Sequence, residues 1–119
     1  MDRDGLVAGL QGPKSGNIVG KTSTADASLV AAAPTGQYFW MTDLVIINHD
    51  ADTAITVTLK SGSTSIFSMT LDSGQGLAHG FSKPVKFTNA ATVVNVALSA
   101  TADSPGVDVF VNGFYGPPN

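Results

Sequence analysis

The 119-residue chain contains no cysteine. That excludes a disulfide framework, thiolate catalysis and cysteine-ligated zinc. Glutamate is also absent: all nine acidic residues are aspartate. Lysine and arginine total six, so 13% of residues are charged and the net charge is −3. An average soluble domain has roughly 25% charged residues. Glutamate, lysine and arginine build exposed helix faces, so their scarcity argues against surface helices. The cations Arg3, Lys14, Lys21, Lys60, Lys83 and Lys86 are scattered, whereas nucleic-acid binding needs a concentrated patch; no nucleic-acid partner is expected. No apolar run is long enough for a membrane-spanning helix, and no membrane partner is expected. The opening residues, MDRDGLVAGLQGPKSG, place acids where a secretory signal has bases and lack an apolar h-region. The chain is expected to stay where it is made.

What is abundant is serine, threonine, alanine and valine, with 13 glycines and six prolines as punctuation. This is the vocabulary of strands and turns. Residues 1–17 hold few large aliphatics, Leu6, Val7 and Leu10, among several glycines; they read as a flexible N-terminal arm, with residues 18–119 as the folded domain. Ile18–Thr24 and Ser28–Ala33 are weak strand candidates. QYFWMTDLVIIN (37–48) is apolar at consecutive positions, as in a strand covered on both sides or one that bends near Thr42-Asp43. TAITVTLK and TSIFSMTLD alternate cleanly about SGSTS and predict a hairpin. Gly76–Phe81 and Pro84–Thr88 read as two short strands, the second confined by Pro84 to a strand start or an edge. TVVNVALSA (92–100) and Val107–Tyr115 complete the set. About eight short strands with regular turns predict an all-β fold, an antiparallel β-sandwich of jelly-roll type.

Chemistry is sparse. His49 lies beside Asp50 and Asp52 in NHDAD, but calcium needs more oxygens than this loop offers, and Asn and Asp are ordinary turn residues. His79, in GLAHGF, has too few companions for zinc. A Ser-His-Asp triad has residues to draw on but no nucleophile-elbow pattern. Nine aspartates could supply a glycosidase pair, yet most sit in turns. No enzyme activity, metal or other cofactor is expected. Tyr38, Phe39 and Trp40 offer a platform for a sugar ring, but they stand in the most apolar segment, where core packing is the expectation.

Surfaces remain. In PGVDVFVNGFYGPPN, Val107, Val109, Val111 and Tyr115 share one strand face, while Phe110 and Phe114 fall on the other. A β-bulge at Asn112-Gly113 would return Phe114 to the first face. Without one, those rings need a cover beyond the sandwich. Leu6, Val7, Leu10, Phe110, Phe114 and Tyr115 are therefore the candidate residues of an oligomer or shell interface, and the chain is expected to form a homo-oligomer.

The segments DLVIINHDADTAITVTLKSGSTSIFSMTLDSG, FSKPVKFTNAATVVNVALSA and VDVFVNGFYG, within residues 37–115, resemble the small β-rich virion proteins of tailed bacteriophages. They are similar in particular to head decoration, or cement, proteins. The resemblance implies a compact sandwich on the capsid surface, a homotrimer, attachment to the major capsid protein, and synthesis in the host cytoplasm. The weighed alternative is a carbohydrate- or receptor-binding module of a phage tail or fibre.

Overall fold

The computed structural model describes residues 13–118. Within them lie eight strands: β1 (Pro13–Lys21), β2 (Ala27–Val30), β3 (Tyr38–Asn48), β4 (Ile55–Ser61), β5 (Thr64–Leu71), β6 (Gly76–Lys86), β7 (Val94–Leu98) and β8 (Val107–Gly116). They form two antiparallel four-stranded sheets, β1-β8-β3-β6 and β2-β7-β4-β5. The pairs β4·β5, β3·β6, β2·β7 and β1·β8 are all neighbours. The chain is thus one long hairpin rolled into two layers, the jelly-roll topology that the strand pattern predicts.

The apex is the β4–β5 turn. Ser61 pairs with Thr64, leaving the two-residue loop Gly62-Ser63. Gly62 has φ 63°, the positive value that the first position of a II′ turn requires. The Asn89 side chain braces this corner through Nδ2, which donates to the Ser61 carbonyl at 2.9 Å.

The core lies between the sheets. Phe39, Met41, Leu44 and Ile46 of β3 face Ile55, Val57 and Leu59 of β4 and Val94 and Val96 of β7, all buried. On β8, Val107, Val109 and Val111 complete the same layer. Phe39 packs edge-on against both Phe87 and Tyr115, at 5.4 and 6.3 Å between centroids. Such T-shaped pairs add to the stabilisation from apolar burial.

Three sequence expectations change. Residues 13–17 belong to β1, pairing with Phe114 through Phe110 of β8, so the sandwich starts earlier than the expected boundary at residue 18. Glycine and proline had masked a strand that backbone pairing sustains. The two short strands expected around Pro84 are one edge strand, β6; an edge tolerates the missing N–H of Pro84. The bulge is not at Asn112-Gly113. β8 alternates without interruption, and β3 carries the extra residue: Met41 pairs with Gly113 while Asp43 pairs with Asn112, leaving Thr42 unmatched. The Thr42 hydroxyl lies 3.0 Å from Asp43 Oδ2 and 3.2 Å from the Asn112 carbonyl, pinning the irregularity.

Candidate interaction face

The bulge at Thr42 explains the consecutive apolar run. Before it, Phe39 and Met41 point inward; after it, Leu44 and Ile46 do. Tyr38, Trp40, Val45 and Ile47 are left on the outside of the β1-β8-β3-β6 sheet. Phe114 and Phe110 join them there from β8, as cross-strand neighbours of Trp40 and Val45. Two apolar patches result. Tyr38, Trp40 and Phe114 form one, and Val45, Ile47 and Phe110 the other, with the polar pair Asp43 and Asn112 between them.

In the first patch the Trp40 and Phe114 rings lie parallel, 6° apart in plane and 6.2 Å between centroids. Trp40 Nε1 donates to the Pro117 carbonyl at 3.0 Å, so the Gly-Pro-Pro tail fixes the indole. Lys86 Nζ sits 4.8 Å from the Tyr38 ring centroid, a cation–π contact. In the second patch Phe110 is 37% exposed, and Val19 on the adjoining edge strand is 63% exposed.

The outer face of the other sheet is built from different chemistry. Thr56 and Thr70 hydroxyls meet at 2.7 Å, and Thr58 and Ser68 hydroxyls at 3.0 Å. Lys60 Nζ pairs with Asp26 at 3.0 Å. Hydroxyl and charge satisfy one another there, and that face is suited to water. The contrast between the two outer faces makes the aromatic one the candidate interaction surface.

Of the expected interface residues, Phe110 and Phe114 lie on this face. Tyr115 does not. It is buried, its hydroxyl donates to the Ala31 carbonyl at 2.6 Å, and burial raises its pKa. With no bulge in β8, Tyr115 keeps the inward phase of the valines. Leu6, Val7 and Leu10 lie outside the described residues. Val45, Ile47 and Val19 were not among the expected residues. For Val45 and Ile47 the signal was the polar pair Thr42-Asp43 inside an apolar run, which marks a change of phase.

The residues weighed for chemistry take structural places. Asp50 is buried in the β3–β4 loop. Its Oδ1 accepts the N–H groups of Asp52 and Thr53 at 2.8 and 2.7 Å, and its Oδ2 accepts that of Asp103 at 2.7 Å. The carboxylate therefore ties this loop to the β7–β8 loop. His49 Nε2 lies 2.9 Å from Asp108 Oδ2, while Asp108 Oδ1 accepts the Gly20 N–H at 2.8 Å. His79 packs against the Phe81 ring, 4.6 Å between centroids. Among the described residues no three His or Asp side chains converge as a metal site would require.

Hydrogen bonds from the Asp103 and Asp52 backbone, followed by that of Thr53, outweigh desolvation and hold the Asp50 pKa below the usual carboxylate value. The folded chain thus keeps Asp50 ionised at pH values where the unfolded chain protonates it. Its contribution is complete above about pH 4 and is lost as the pH falls through the lower folded value. Asp50→Asn is expected to lower the Tm by roughly 5–10 °C, since an amide NH₂ opposes N–H donors. Its stability should also vary less with pH below about 4 than that of the parent chain, as read by thermal melts at a series of pH values. An unchanged Tm and an unchanged acid profile would remove Asp50 from this role.

No family model and no curated protein sequence matches the chain. Solved structures do match. The chain is similar to a chain of a cyanophage capsid asymmetric unit, with a TM-score of 0.54, 19% identity, and coverage of 94% of this chain and 89% of that one. It is similar to a chain of the acid-stable capsid of a Helicobacter pylori bacteriophage, with a TM-score of 0.57, 17% identity, and coverage of 92% and 91%. It is also similar to a subunit of Bacillus endospore appendages, disulfide-linked pili, with a TM-score of 0.54, 12% identity, and coverage of 96% of both chains. At these identities the likeness is one of fold.

Proposed function

We propose that this chain is a structural, non-enzymatic virion protein that decorates the outside of a bacteriophage capsid and stabilises the shell. The observation that carries the reading is the aromatic outer face of the β1-β8-β3-β6 sheet, opposite a hydroxyl-lined face suited to water. Its fold is shared with chains of two bacteriophage capsids, and a disulfide-linked pilus is a poor analogue for a chain without cysteine. The protein assembles as a homo-oligomer, with a trimer as the expected number, and its second partner is the major capsid protein. Phe110, with Val45 and Ile47 around it, forms the contact. Modest affinity per copy suffices, because a trimer attaches through several contacts at high effective concentration. Binding stabilises the shell by mass action, since disassembled subunits present no site.

The sugar-binding alternative is the weaker reading. Phe39 is in the core, so the three consecutive aromatics do not share a face. The loop carboxylate of Asp50 sits beyond Asn48, at the far end of β3 from Trp40, and Asn48 itself is roughly 26 Å along the strand from Trp40 at about 3.3 Å per residue. The proposal is tested by imaging particles purified from cells that make the chain. Copies clustered on the outer shell are expected; shells bearing none would overturn the reading.

A further inference from the structure

An open antiparallel sheet ends in strands with one unpaired side, and such edges are normally blunted. Here β1 begins at Pro13 and slips register after Ile18, β2 has four residues, and β5 carries an unmatched Ile66. The second half of β6 holds Lys83 and Pro84, and the four residues between Gly80 and Val85 stand opposite Thr42 alone. The first half of β6, Gly76–Gly80, has none of these devices. It pairs residue by residue with β3, from Gly76 against Ile47 to Gly80 against Asp43, and β6 lies at the end of its sheet.

The ladder fixes which backbone groups face outward. The Asn48 N–H donates to the Gln75 carbonyl, and the His49 N–H to the Gly106 carbonyl, each at 2.9 Å. Opposed pairs alternate between bonded and non-bonded, so even-numbered residues of β3 bond to β6 and odd-numbered ones to β8. On β6, Leu77 and His79 are then bonded to Ile46 and Leu44. Gly76, Ala78 and Gly80, opposite Ile47, Val45 and Asp43, turn their N–H and C=O groups away from β3. All three are exposed, and none has a side chain larger than a methyl group to stand beside those groups.

From this edge we infer that β6 pairs antiparallel with β6 of a second copy, about a two-fold axis at Ala78. The segment complements itself. Gly76 meets Gly80 of the second copy, Ala78 meets Ala78 and Gly80 meets Gly76, so the open groups satisfy one another in about six hydrogen bonds. No Asp, Lys or Arg lies within Gly76–Gly80 to oppose the pairing. The axis stands perpendicular to the sheet, so the aromatic faces of both copies look the same way and stay open. The contact is separate from Phe110, which lies two strands away across Val45. A five-residue edge buries less than the roughly 1,000 Å² of a lasting interface, so the pairing forms where copies are concentrated. This inference does not rest on the virion reading.

The two-fold axis sets residue 78 opposite itself, which gives the test. Light scattering follows the mass of the parent, of Ala78→Asp, of Ala78→Lys and of an equimolar mixture of the two variants, from about 10 μM to about 1 mM. The parent's mass is expected to rise at least about two-fold over this range. Each variant alone is expected to hold a constant mass, because like charges directly opposite repel. The mixture is expected to rise as the parent does, with Asp facing Lys. A parent of constant mass, single variants that rise like the parent, or a mixture that does not rise would each overturn the inference. Should either charged variant fail to fold, Ala78→Cys decides. The chain has no other cysteine, and Cα atoms about 5.5 Å apart across a bonded pair suit a disulfide. A covalent dimer forming in air at high concentration is expected, and its absence would overturn the inference. The isolated chain suffices for both measurements, so their failure leaves the virion reading standing, and the reverse also holds.

Discussion

Gly113→Ala is expected to cost the sandwich about 3 kcal/mol, at the upper end of what overpacking usually causes. Gly113 faces inward beside the β3 bulge, paired with Met41. A Cβ there would lie 2.0 Å from the Trp40 carbonyl oxygen and 2.7 Å from the Phe39 ring. The carbonyl belongs to the central strand and cannot move without breaking the β3–β8 ladder. Domains of this size have about 5–15 kcal/mol in total, so the loss is a large fraction. Gly74→Ala is the control. Gly74 has φ 73° but nothing within 4 Å of a new Cβ. It should cost only about 1 kcal/mol, the left-handed backbone penalty. Urea denaturation separates the two; equal losses would mean that close approach under the bulge does not constrain the fold.

Phe110→Asp is expected to dissociate the oligomer while leaving the monomer folded. Phe110 is 37% exposed in the single chain, so its removal takes little from the core. At an interface it would sit between Val45 and Asn17, with Asp108 next along the same face of β8, where a buried carboxylate meets a like charge and no cation. A loss of at least about 2 kcal/mol per contact corresponds to roughly 30-fold weaker association. Light scattering at micromolar concentration should then read the 12.1 kDa monomer mass for the variant and a multiple of it for the parent. Equal masses, with the melting temperature unchanged, would remove Phe110 from the interface between copies.

Much of this was legible in the sequence because strand periodicity is short-range physics. TAITVTLK and TSIFSMTLD declared their buried faces by alternation, and the hairpin between them followed. The valines of β8 likewise gave the core side, and with it the outward position of Phe110 and Phe114. The unreadable parts depended on partners distant in sequence. β1 has little apolar content of its own; its place depends on β8, nearly the whole chain away. The position of the bulge decided whether Val45 and Ile47 or Leu44 and Ile46 faced outward, and only the pairing of β3 with Gly113 and Asn112 fixes it. The role of Asp50 was legible as turn chemistry, but its bond to the Asp103 N–H required the meeting of two loops.

The central claim is that the aromatic face of the β1-β8-β3-β6 sheet holds this protein in a virion. A reconstruction of particles from cells that make the chain tests it most directly. The account predicts sandwiches on the outer shell with Phe110, Val45 and Ile47 covered by a neighbouring copy or by the major capsid protein, and Thr56, Thr58 and Thr70 facing solvent. Sandwiches bound through the threonine face, or shells that carry none, would contradict it.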